Sequence, residues 1–140
     1  MARRAKAPEA IVVHHLVHVR AALAAAEATG NPAHLLTPPG GARYAGPAFY
    51  AEIVRIAAAE RPAATYRLTL DCGDDAALAI GALAAGWTSL VLAARPKARA
   101  KVGDIASRFG ATVSRSPPTA LDLATSADPE AACRALLATT

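Results

Sequence analysis

Short β-branched or alternating runs, each leading into a helix-like segment, constrain this chain more than anything else in its sequence. Ile11 to Val17 reads as a strand, and Arg20 to Thr29 as an alanine-rich helix closed by Gly30-Asn31-Pro32. His34 to Thr37 reads as a second strand, followed by the loop Pro38-Pro39-Gly40-Gly41. Pro47 suits the first turn of a helix that runs to about Glu60. Thr65 to Asp71 is a third strand, and Asp74 can cap a helix reaching Gly86. Ser89 to Ala93 is apolar on both faces, as a central parallel strand should be. Lys97 to Phe109 then sets Ala98, Val102, Ile105 and Phe109 on one side of a helix. Ala111 to Ser114 starts a fifth strand, and Asp128-Pro129 opens a last helix.

This alternation predicts an α/β fold: a single domain of about five βα units on a mostly parallel sheet with right-handed crossovers, half-TIM-barrel or flavodoxin-like. The third strand adds a detail. Tyr66, Leu68 and Leu70 face one way and Arg67, Thr69 and Asp71 the other, which suits a curved sheet whose concave face is polar. The domain is expected over residues 11–140, behind a flexible basic tail over residues 1–10 that carries Arg3, Arg4 and Lys6.

With 54% hydrophobic and 19% charged residues the chain is globular rather than disordered. No apolar run reaches the roughly 18 residues of a membrane span. His14, His15 and His18 interrupt what would have to be the core of a signal peptide, so a cytoplasmic location is expected. Cys72 and Cys133 form no spaced cluster and read as reduced thiols. The net charge of +4 gathers in the tail and in Arg95, Lys97, Arg99 and Lys101, with no aromatics between them, which argues against a nucleic-acid partner. The segment Ala76 to Gly86 has no polar side chain, and Gly81 would admit a close neighbour. A helix apolar all round is normally buried, so this one is the candidate interface of a homodimer or larger oligomer.

Chemistry is expected where the third strand ends, in Leu68-Thr-Leu-Asp71-Cys72-Gly73-Asp74-Asp75, because α/β proteins place sites at the carboxyl ends of parallel strands. Asp71 and Cys72 are the catalytic candidates; Asp74 and Asp75 read as helix caps. A helix N-terminus favours a thiolate at Cys72, the three acids oppose it, and a histidine partner could come only from the first strand. Thr37, Gly40 and Gly41 could bring backbone amides to an anion, and Arg95 could hold a phosphate or carboxylate. Lys101, Asp104 and Arg108 have the spacing of a solvated helix face. On a strand, His14 and His15 point to opposite faces and cannot chelate together. No metal ligand set and no cofactor is therefore assigned.

Three passages resemble the class II (metal-dependent) fructose-bisphosphate and tagatose-bisphosphate aldolase family, in its first half. The first is Arg20 to Gly30 with the following strand and the loop carrying Pro39-Gly40 and Tyr44-Ala45-Gly46. The second is Leu70-Asp71-Cys72-Gly73, similar to the family's Leu-Asp-His-Gly. The third is Ala85-Gly86-Trp87-Thr88-Ser89-Leu90-Val91-Leu92, similar to Ala-Gly-Phe-Thr-Ser-Val-Met-Ile. The resemblance implies a barrel relative in which Asp71 holds the position of a proton donor. Cys72 stands where the family has the first of three metal-binding histidines. No histidine follows His34, so the later ligands have no counterpart and aldolase activity is not expected.

Three functions follow as expectations. One is a non-aldolase binding or interaction module for an anionic small molecule. Another is a small lyase- or hydrolase-like enzyme acting on an anionic or phosphorylated substrate through Asp71 and Cys72. The third is a structural oligomer without a ligand.

Overall fold

The computed structural model describes residues 7–139; residues 1–6 of the expected basic tail lie outside the described residues. The elements run β1 (Ala10–Val12), α1 (Leu16–Thr29), β2 (Ala33–Leu36), α2 (Gly41–Tyr44), α3 (Pro47–Glu60), β3 (Tyr66–Asp71), α4 (Ala76–Ala84), β4 (Ser89–Val91), α5 (Pro96–Arg108), β5 (Thr112–Ser114), β6 (Ala120–Asp122) and α6 (Pro129–Ala138), with a 3-10 turn over Leu123–Thr125. All neighbouring strands pair in parallel, in the order β5-β4-β3-β2-β1-β6.

That order selects between the two expected architectures. Strands that follow one another in sequence and in space, joined by right-handed crossovers, put every helix on the same face. A flavodoxin-like sheet reverses direction at a switch point and carries helices on both. Here the buried residues fall into two clusters, one on each face of the sheet. The larger joins Ile11, Leu35, Leu70, Leu90 and Leu92 to the inner sides of the helices. The smaller holds Ala10, Val12, Leu36 and Val91, with Ala120 against them, and contains no helical residue. The domain is thus a single-layer sheet jacketed on one side, the half-barrel arrangement.

The connection between β5 and β6 forces the sheet to curl. These strands are consecutive in the chain yet occupy opposite edges. Six Cα steps from Ser114 to Ala120 span at most about 21 Å. The edges of a flat six-stranded sheet would stand about 24 Å apart. The segment 115–119, stiffened by Pro117-Pro118, therefore straps the two edges together. Its end is fixed to β1, where the Thr119 carbonyl accepts from the Glu9 and Ala10 amides at 2.8 and 3.1 Å.

Several boundaries differ from the sequence expectation. The first strand ends at Val12 rather than Val17, and α1 begins at Leu16 instead of Arg20. Asp75, not Asp74, caps α4, its carboxylate accepting from the Leu78 amide at 3.0 Å. The sixth strand was not expected; it is a three-residue edge element held by the register Ala10↔Ala120, Ile11↔Leu121 and Val12↔Asp122. Among the described residues no helix is long and apolar enough to cross a membrane.

The two faces should respond differently to truncation. Leu35→Ala, in the helix-covered core, should cost about 2–5 kcal/mol. Thr112→Ala, exposed on the other face of β5, should stay within about 0.5 kcal/mol. Urea unfolding of both variants checks this; equal losses would contradict a sheet covered on one face only.

Candidate functional site

The pleat sends Asp71 and Cys72 to opposite faces. Cys72 is 1% exposed and lies in the core beneath the helices. Burial, reinforced by Asp71 and Asp75, pushes its thiol up to about 12, so it carries no thiolate at neutral pH. Asp71 turns the other way, to the strand ends. Its Oδ1 accepts from the Gly73 amide at 2.8 Å and the Gly40 amide at 3.2 Å, while its own amide donates to Thr37 Oγ1 at 2.8 Å. Gly40 and Gly73 both have positive φ, 67° and 58°, and a Cβ added at Gly73 would stand 3.7 Å from the Gly40 Cα. The Gly73 carbonyl in turn accepts from the Ala93 amide at 2.7 Å. Thr37, Gly40 and Asp71 are therefore brought together, as a clamp joining the turns after β2, β3 and β4.

Gly41 lies beneath this clamp. A side chain there would approach the Tyr50 hydroxyl to 3.0 Å and Thr37 to 3.2 Å, so its small size serves close packing. Arg95 is the exposed N-cap residue of α5, and its side chain makes no hydrogen bond to the clamp. Beside it is a cavity of about 380 Å³ lined by Ala93, Ala94, Pro96, Arg99, Arg115 and Ser116. Arg99 is aimed by a 3.1 Å bond from Nη1 to the Ala94 carbonyl. No acid lines this cavity, and it opens at the positive end of the thirteen-residue helix α5.

The histidines lie elsewhere than expected. Because the first strand stops at Val12, His14 and His15 sit in a turn and His18 in the first turn of α1. His14 Nε2 meets Asp122 Oδ1 at 2.7 Å, and the His14 amide donates to His18 Nδ1 at 3.1 Å. The His15 and His18 rings lie 3.8 Å apart. Burial raises the Asp122 carboxyl, but the Ala124 amide and His14 together hold it below the ordinary aspartate value. The spacing of His14 and His18, one helical turn, was the signal available for this grouping; Asp122 is 108 residues away and had none. Even so, no group of three or more His, Cys, Asp and Glu side chains among the described residues is arranged to hold a metal ion. With the Cys72 sulfur packed in the core and the Asp71 carboxylate on the opposite face of the strand, the side chains at the end of β3 do not converge on a catalytic metal.

His18 and His34 give a pH dependence. Burial lowers both imidazoles; His15 and His14 add to this at His18 and Asp122 opposes it, while at His34 Arg67 adds and Glu9 opposes. The unfolded chain takes up these protons first, near pH 6.5, so stability is complete above that value and declines as pH falls below it. The urea midpoint should drop between pH 7.5 and 5.5, and His18→Gln with His34→Gln should flatten the profile. An unchanged midpoint in the parent protein would contradict this.

The family model for class II fructose-bisphosphate aldolases matches residues 2–97, more than two-thirds of the chain. A crystal structure from Coccidioides immitis, of a protein assigned as a fructose-1,6-bisphosphate aldolase, aligns with a TM-score of 0.55 at 24% identity. The alignment covers 76% of this chain and 40% of that one, so the chain spans well under half the length of that relative. No curated protein matches. The matched residues include the first three βα units, strand β4 and the Leu70-Asp71-Cys72-Gly73 strand end, and on this ground the chain belongs to the class II fructose-bisphosphate aldolase family.

Proposed function

We propose that the chain is a non-aldolase member of this family that binds an anionic small molecule over the carboxyl ends of β4 and β5. The supporting observation is the cavity of about 380 Å³ that presents Arg99 and Arg115 and no carboxylate. Charge-assisted bonds from guanidinium groups are the stronger class of hydrogen bond, and a helix N-terminus adds to them. Arg95 adjoins two of the lining residues in sequence and supplies a third cation at the rim. Asp71 acts as the clamp that holds the loops of this face, with Thr37, Gly40 and Gly73 as its partners and Gly41 packed beneath them. Cys72 packs beneath it. Both cysteines are free and buried, which suits a cytoplasmic setting in which thiols stay reduced.

Aldol cleavage is not part of this reading, because the donor set at the end of β3 does not suit the metal that the family uses. Calorimetric titration with inorganic phosphate tests the binding site. Arg99→Gln and Arg115→Gln should each weaken binding about tenfold, while Arg108→Gln, at the far end of α5, should leave it unchanged. Equal losses in all three would mean diffuse charge attraction and would sink the site.

A second role rests on a separate observation. The outward side of α4 presents Ala77, Ile80, Gly81 and Ala84, and Ile80 is 41% exposed. We propose this face as the contact between copies of the chain. Light scattering should give a dimer or larger species that Ile80→Lys shifts toward monomer; a monomeric parent protein would contradict it.

A further inference from the structure

In a barrel of this general kind the interior is filled by layers of apolar side chains. Here the apolar cluster on the concave face is limited to Ala10, Val12, Leu36 and Val91, with Ala120. The rest is a chamber of about 360 Å³ whose lining includes Arg67, His34, Thr69, Ser89, Thr112 and Ser114, with Glu9 and the strap residues 116–118 around it. The polar side chains form a connected chain. Arg67 Nη2 lies 3.1 Å from His34 Nδ1 and 3.4 Å from Nε2, near-equal distances that set the guanidinium over the face of the imidazole. His34 Nε2 shares a 2.8 Å hydrogen bond with Thr69 Oγ1, which shares another of 2.7 Å with Ser89 Oγ. Either hydroxyl can donate in that last bond, so a carboxylate beside Ser89 can accept from the Ser89 hydroxyl while Thr69 donates to it, and Arg67 keeps the rest of its fork.

We propose that this concave chamber is a second ligand site, selective for a small hydroxy-monocarboxylate. The carboxylate would take the free donors of Arg67 and Ser89, and the hydroxyl the side chains of Thr112 or Ser114. Charge sets the class. Arg67 is the one cationic side chain among the lining residues, and Glu9 lies in the same chamber. A single guanidinium matches one negative charge better than the two of a dianion such as a phosphate ester. The site is separate from the one over β4 and β5. Arg115 lines that cavity, Pro117 and Pro118 line this chamber, and Ser116 borders both.

Titration with lactate, followed by amide and imidazole NMR shifts, tests this on the intact chain. Saturable shifts are expected at His34, Arg67, Thr69 and Ser89, and not at Arg99 or Arg115. Arg67→Gln should weaken binding at least about tenfold and Ser89→Ala several-fold, while Arg115→Gln leaves it unchanged. Acetate should bind more weakly than lactate. Shifts confined to Arg99 and Arg115, or a loss on Arg115→Gln, would assign lactate to the other cavity and overturn the proposal. An absence of saturable shifts in the parent protein would do the same, and that measurement does not depend on any variant folding.

Discussion

A connection of five residues between the two edge strands governs the shape of this domain. Strands β1 to β5 pair in sequence order, which an open, gently twisted sheet could accommodate. The next strand does not extend that series; it returns to β1, and the chain must reach it directly from β5. A flat sheet is too wide for that step, so the sheet bends until its edges approach. Curling gives it an outside, where all the helices pack, and an inside that no helix can cover.

Once inside and outside differ, the two-residue period of a strand decides the fate of each side chain. Along β3 it sends Leu68 and Leu70 to the helices and Thr69 and Asp71 to the concave face. The next residue, Cys72, returns to the core. The same alternation makes the Asp71 carboxylate available to the Gly40 and Gly73 amides, and so to the loops that shape the carboxyl-end face. A core-packed sulfur below and an amide-bound carboxylate above, on opposite faces of the strand, are the physical reasons this strand end is a clamp rather than a metal centre.

Much of this was legible beforehand because it depends on local period. The alternation of Tyr66 to Asp71 anticipated a polar concave face, and the apolar side with Val102 and Ile105 anticipated α5, although Phe109 proves to be its exposed C-cap residue. The Asp71-Cys72-Gly73 strand end and the Ala85 to Leu92 passage carried the family. What escaped depends on distance or on brevity. Ala120-Leu121-Asp122 is too short to show a period, and only its register with β1 makes it a strand. Val13 to Val17 has the composition of a strand, yet His15 is an extended N-cap and the helix starts at Leu16. That boundary gathers the histidines beside Asp122, across 108 residues of sequence. The cationic cavity joins Arg99 to Arg115 across the β5 strand, a pairing that local spacing does not show; Arg95, which the β4 turn pointed to, does not line it.

The proposed anion site lies over the carboxyl ends of β4 and β5, where parallel α/β folds place their chemistry, beside a strand end whose donors do not converge on a metal. Anomalous diffraction from crystals grown without chelator and soaked separately with tungstate and with zinc examines both halves together. A tungstate peak is expected between Arg99 and Arg115, and no zinc peak at Asp71 and Cys72. Tungstate absent from that cavity, or zinc bound at Asp71 with the Cys72 sulfur turned out of the core to reach it, would overturn this reading.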